Sequence, residues 1–304
     1  MFIGWLTCIP AVLLPHSLCR STTANAPANR QMPIASVVRG KAKNKKTMTS
    51  YKIEYIENIR DYLDTVDTIK MNSEKNGNFA ELLFRGQRID KPLLPKLARL
   101  NLRGSIKNVE NLILKEFERG VIPLSEFKPE NEWDLLALAQ HHGLPTRLLD
   151  WSYSPLIALW FAVFETPLKS EKGTHENGVI WILNAEVQDF RTNTESYGPL
   201  SNKLTKIYRP KVVSRRISAQ AGAFTVHKIN DGGKIIKFET NKRFSKVLTK
   251  IIIKPDNFKT LRKSLNLLGI NHSTVFPDLD GFCKHLERRF SKLDDEIKTT
   301  KPSP

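Results

Sequence analysis

WDLLALAQHHGLPTRLLDWSYSPLIALWFAVFE, residues Trp133–Glu165, is the stretch whose reading decides the fold. Its first part, Trp133 to His142, is predicted as a helix, with Gly143 as a left-handed cap. Helix cannot continue through LPTRLLDW, because Pro145 has no N–H and restricts Leu144. Ser154-Pro155 then supplies an N-cap and a first-turn proline for LIALWFAVFE. That second helix is apolar all round, so it is expected to be buried. Between the two helices lie His141, His142, Arg147 and Asp150 in otherwise apolar surroundings. Isolated burial of such charges costs several kcal/mol, so they must be paired or face a ligand.

Working outward, KIEYIENIRDYLDTVDTI from Lys52 spaces Ile53, Ile56, Ile59, Leu63 and Val66 as one helix face. KMNSEKNGN after it reads as a turn. ELLFRG is a short strand, KPLLPKLAR a loop with a short helix, and Asn108–Gly120 an amphipathic helix. After the buried helix, GVIWILN and VLTKIIIKP are strands. SRRISAQAGAFTVHKI alternates at Phe224 and Val226, then turns at Asp231-Gly232-Gly233. Phe258–Gly269 and Gly281–Phe290 are helices. The elements make an α+β fold, a small mixed or antiparallel sheet with flanking helices. One domain over 51–292 is expected, between a basic tail or early start at 1–47 and a polar tail at 293–304.

The chain has 304 residues, is 40% hydrophobic and carries a formal charge of +17. It can therefore bury a sizeable core, and its charge favours acidic partners. Residues 1–50 hold seven basic and no acidic side chains, and Lys203–Lys254 holds fourteen basic residues against Asp231 and Glu239. Cys8, Cys19 and Cys283 form no CxxC pair, which predicts neither a metal site nor a disulfide framework and fits a reducing, cytoplasmic setting. MFIGWLTCIPAVLLP is too short to span a bilayer and lacks a basic n-region, so no membrane association is expected. Met48 begins a better amphipathic pattern.

Several polar residues are candidates for a site, each with a plainer alternative. Arg147 and Asp150 are close enough in sequence to pair, either as a buried ion pair or as part of an anion pocket. His141 and His142 sit where a helix end commonly places capping histidines; as functional groups they would donate hydrogen bonds to a ligand. Trp160, Phe161 and Phe164 read as core. Asp278 and Asp280 read as turn and cap residues, since Asp-x-Asp-Gly lacks the further ligands of a cation loop.

The chain resembles the FRG-domain family, named for a Phe-Arg-Gly motif, here Phe84-Arg85-Gly86 followed by Gln87. The resemblance continues through Leu94-Pro95, Arg99 and WDLLALAQHHGLPTRLLDWSYSPLIALWFA. It resumes at ISAQAGAF and VFPDLDG, spanning about Phe84–Leu286 in consistent order. The family is largely uncharacterised and is often met in bacterial proteins. The chain is also similar to ADP-ribosyltransferase folds: Arg85-Gly86 at a strand, Ser152-Tyr153-Ser154 before a helix, and Gln220 near the place of a catalytic Glu. That resemblance implies Arg85 gripping the ribose or pyrophosphate of NAD, with Ser152 bracing the site. Glutamine cannot stabilise an oxocarbenium-like centre by charge, so Gln220 argues against full transferase activity.

Three functions follow. A pocket of Arg85, Gln87, Gln140, His141, Arg147, Asp150, Ser152 and Gln220 would bind a nucleotide or NAD-like anion, with Arg85, His141 and Gln220 as the catalytic candidates. Residues 203–254 would bind nucleic acid, with steep salt dependence. In the third, the polar cluster is architectural and the chain is an interaction protein. Composition and spacing do not fix an oligomeric state.

Overall fold

The computed structural model describes residues 51–75, 80–125, 127–192, 198–210, 220 and 222–297. These form a seven-stranded open sheet in the order β1-β7-β4-β2-β3-β6-β5, the α+β architecture expected. Its strands are β1 (Lys52–Ile56), β2 (Ala80–Gln87), β3 (Leu148–Ser152), β4 (Gly178–Glu186), β5 (Lys206–Tyr208), β6 (Gly222–Val226) and β7 (Leu248–Ile253). Only β1 and β7 run parallel; the other neighbours are antiparallel. Helices are α1 (Ile59–Lys75), α2 (Ile106–Val121), α3 (Glu132–His141), α4 (Pro155–Val163), α5 (Phe258–Leu267), α6 (His272–Val275) and α7 (Leu279–Phe290).

The two faces of the sheet are covered differently. α1, α4 and α5 bury Tyr62, Leu159 and Leu261 against Phe84, Ile182 and Ile251. On the other face, Leu83, Leu149, Trp151, Val179 and Trp181 pack with Leu93, Phe238 and Phe244, which come from connections and their short 3-10 turns and not from α-helices. α2 and α3 close the β3–β6–β5 wing through Leu114, Trp133, Leu136 and Tyr208.

Local signals position these parts. Gly143 has φ of 78°, and the N–H groups of Gly143 and Leu144 donate to the carbonyls of Gln140 and Ala139, ending α3 with the paired bonds of a glycine C-cap. The Ser154 hydroxyl accepts from Ile157 N–H at 3.3 Å with Pro155 in the first turn of α4. The Asp278 carboxylate accepts from Gly281 N–H at 2.7 Å, so it caps α7 as the sequence suggests. Trp160 and Phe164 stack at 4.6 Å within the core.

Two expectations need correction. Lys52–Ile56 is not the start of a helix but β1, paired with β7, and the helix begins only at Ile59. The Asn58 side chain accepts from the N–H groups of Arg60 and Asp61, which stops the strand and starts the helix. Ile53, Tyr55 and Ile56 suit a strand as well as a helix face, and the distant partner decides between them. KMNSEKNGN is helical as far as Lys75, supported by a Lys70–Glu74 pair one turn apart at 3.4 Å. Asn76–Asn78 lie outside the described residues. β3, β5 and α6 went unread in the sequence.

Candidate functional site

β2 and β3 touch at a single register pair, Phe84 with Ser152, and separate beyond it. Arg85 reaches across this opening. Its Nη1 donates to the Asp150 carbonyl at 2.8 Å and lies 3.7 Å from Asp150 Oδ2. Nε is buried without a partner, and Nη2 makes no hydrogen bond among the described residues. One edge of the guanidinium is thus held by the protein and the other is unused. Burial lowers the pKa of Arg85 from its ordinary value; Asp150 opposes this, and the neighbouring charge of Arg99 adds to it. Arg99 ends the turn Lys96–Arg99, is exposed, and has no ion pair among the described residues. Two cations therefore stand together at the opening.

Asp150 is oriented from the opposite side. Gln140 Nε2 donates to both of its carboxylate oxygens at 3.0 Å, and Gln140 Oε1 accepts from the Thr146 hydroxyl at 2.6 Å. Thr146 Oγ1 in turn accepts from Leu148 N–H at 3.0 Å. This chain ties the end of α3 to the start of β3 and fixes the carboxylate direction. Lys96 donates to the Gly143 carbonyl at 2.7 Å, and Leu97 N–H to the Thr146 carbonyl at 3.3 Å, so the turn that carries Arg99 is docked on the same loop.

The pairing of Arg147 with Asp150 is corrected. Arg147 is 1% exposed and is gripped by Glu110 of α2, itself fully buried. Arg147 Nε and Nη2 donate to Glu110 Oε2 at 2.8 and 2.5 Å, while the Arg147 backbone N–H donates to Oε1 at 3.0 Å. Nη1 faces the carbonyls of Pro199 and Leu200 at 3.4 Å. Its fork is therefore committed to the protein. The sequence placed Glu110 inside an amphipathic helix with no sign that it faced inward; only a buried arginine short of an acid could have prompted the search.

The other candidates divide. Gln87 Oε1 accepts from Trp181 Nε1 at 3.2 Å, on the same sheet face as Arg85. Ser152 Oγ donates to the Gln220 carbonyl at 2.6 Å and accepts from Ser154 N–H at 3.0 Å, bracing the turn into α4. Gln220 Nε2 donates to the Val275 carbonyl at 3.2 Å, so its amide points to α6. The rings of His141, the last residue of α3, and His142, its C-cap, meet edge-on at 4.9 Å. Arg85, Gln140 and Asp150 are thus one cluster, with Arg99, Thr146 and His227 added by the fold. His227 is 1% exposed, and its pKa is lowered to about 3 by burial, then by the charges of Arg85 and Arg147. Neutral at all ordinary pH, it sits beside two arginines.

Four of the eleven basic residues described in the stretch Lys203–Lys254 are engaged within the protein. Lys206 donates to the Gln188 carbonyl, Arg209 pairs with Glu81, Arg243 with Glu186 and Asp189, and Lys250 with Asp90. Among the described residues no group of three or more His, Cys, Asp or Glu side chains could hold a metal ion, and no helix is long and apolar enough to cross a membrane.

In comparison with known proteins, the family model described as FRG domain matches residues 80–171, from the start of β2 to just past α4. The match contains Phe84-Arg85-Gly86, the Gln140–Asp150 relay and the buried Arg147. No curated protein and no solved structure matches the chain.

Proposed function

We propose, from the premise that residues 80–171 are an FRG domain, that this chain binds a phosphate-bearing anion of the nucleotide or NAD class at the β2–β3 opening. The observation that carries the reading is Arg85, held by Nη1 while its Nε–Nη2 edge has no partner among the described residues, next to Arg99, which has no ion pair among them. A planar guanidinium edge matches two oxygens of a phosphate, and a partly buried one loses less to solvent screening. Asp150, aimed by Gln140, keeps Arg85 from swinging away. The proposal is one of binding: Gln220 supplies no charge where the transferase resemblance needs a glutamate. A cytoplasmic setting, with the phosphates it offers, belongs to the same reading.

Calorimetric titration with ADP, which shares the pyrophosphate of NAD, tests it, with NAD and inorganic phosphate alongside. Wild type is expected to bind ADP, and Arg85→Ala and Arg99→Ala to weaken it about tenfold or more, the loss of a charge-assisted hydrogen bond. Absence of binding by folded wild type, or equal affinity in both variants, rejects it. The nucleic-acid reading has less support, because Lys206, Arg209, Arg243 and Lys250 are already spent on partners within the protein.

A further inference from the structure

Thr225 and His227, one residue apart in and just after β6, project to the sheet face that carries Trp151 and Phe238. Trp151 Nε1, which can only donate, bonds Thr225 Oγ1 at 3.1 Å, and Thr225 Oγ1 lies 3.1 Å from His227 Nε2. These are the only two partners of the hydroxyl among the described residues. The one acceptor within reach of its own proton is His227 Nε2, and the arrangement that uses this proton puts the ring proton on Nδ1. The backbone fixes the ring's place: His227 N–H donates to the Arg147 carbonyl at 3.3 Å, just beyond the last β3–β6 pair, Leu148 with Val226. Nδ1 has no protein partner among the described residues, in a ring that is itself 1% exposed. Arg85 points to this same face, in step with Leu83, at the same end of the sheet.

We infer that His227 is a third ligand-binding residue of the Arg85 site, a neutral donor whose Nδ1–H is set toward the bound anion by the Trp151–Thr225 relay. This deepens the anion-binding reading and rests on it. A neutral donor is the one kind of group that can be added beside Arg85 and Arg147 without a third buried charge. The low pKa of His227 agrees with a ring that stays neutral there.

Two measurements on the full chain test it. Long-range proton–nitrogen correlation on nitrogen-15-labelled protein reads the tautomer directly: one histidine is expected in the Nδ1–H form, a signal lost in His227→Phe and redistributed toward Nε2–H in Thr225→Val. Calorimetry with ADP then compares variants. His227→Asn, whose amide NH₂ lies where Nδ1–H was, should bind within about threefold of wild type, and His227→Phe about tenfold more weakly. An Nε2–H form in the wild type overturns the inference, as does unchanged ADP affinity in a folded His227→Phe. If wild type does not bind ADP at all, the anion site fails and this assignment with it. If binding depends on Arg85 but not on His227, only the assignment fails.

Discussion

At the scale of single residues, Arg147 and Arg85 show how one side chain type takes two roles. Arg147 is wholly enclosed, and Glu110 meets it with both oxygens. Removing either partner leaves an unpaired buried charge, so Arg147→Ala and Glu110→Ala should each lose about 3–5 kcal/mol in urea unfolding. The double change Glu110→Leu with Arg147→Met should lose less than either single change, because no charge is then stranded. If the two single changes are mild, the pair is not the clasp between α2 and β3 described above. Arg85 by contrast spends one nitrogen on the protein, and Arg85→Ala should cost binding more than stability. Sequence exposed Arg147 as a costly charge and Arg85 through its motif, but not the partner of either. Asp150 lay three residues from Arg147 and Glu110 lay thirty-seven, and local spacing favours the wrong one. Thr225 and His227 were legible only as strand alternation, because a relay across two strands leaves no trace in either strand alone.

At the scale of elements, the Phe-Arg-Gly motif separates into three physical demands. Phe84 enters the helical core, Arg85 points to the opposite face, and Gly86 makes room for α4. A Cβ on Gly86 would stand 1.8 Å from the Ala158 carbonyl oxygen and 2.9 Å from Ala162 N. Backbone cannot yield as a flexible side chain can, so Gly86→Ala should destabilise by about 3 kcal/mol, the upper part of the overpacking range. Thermal melts would show it, and a melting temperature equal to wild type would mean that α4 can slide away from β2. The apolar character of α4 was plain in the sequence, as were its serine cap and proline. That it lies directly on β2 was not, since a glycine after a strand reads equally well as a turn. β1 shows the complementary failure: Ile53 and Ile56 fit two periodicities, and only β7 chooses.

At the scale of the whole molecule, two buried histidines give the fold a shared sensitivity to acid. His227 is lowered to about 3 by burial and then by Arg85 and Arg147. His272, packed edge-on against Trp160 at 4.9 Å, is lowered to about 4 by burial and then by Lys284, Arg288 and His285. Both hold protons less tightly folded than unfolded, where a histidine titrates near 6.5. Above that value they cost the fold nothing. As pH falls below it the unfolded chain gains protons first, and each histidine removes up to about 1.4 kcal/mol per pH unit until its folded pKa is reached. Unfolding free energy should therefore fall steeply between pH 6.5 and 4, and His272→Phe should make that slope shallower. A flat profile over this interval would show that neither ring is buried in the neutral form.

The parallel register of β1 on β7 sets an order in time. Ile56 lies opposite Ile253, so the first strand of the sheet is made almost two hundred residues before the strand it pairs with. While the chain emerges from the ribosome, β2, β4, β3 and α4 can all exist, and with them Arg85, Asp150 and the helix behind Gly86. Lys52–Ile56 must wait with its backbone unclaimed until the last strand is synthesised. The opening between β2 and β3 can be assembled early; the β1 edge is decided only once Leu248–Ile253 has been made.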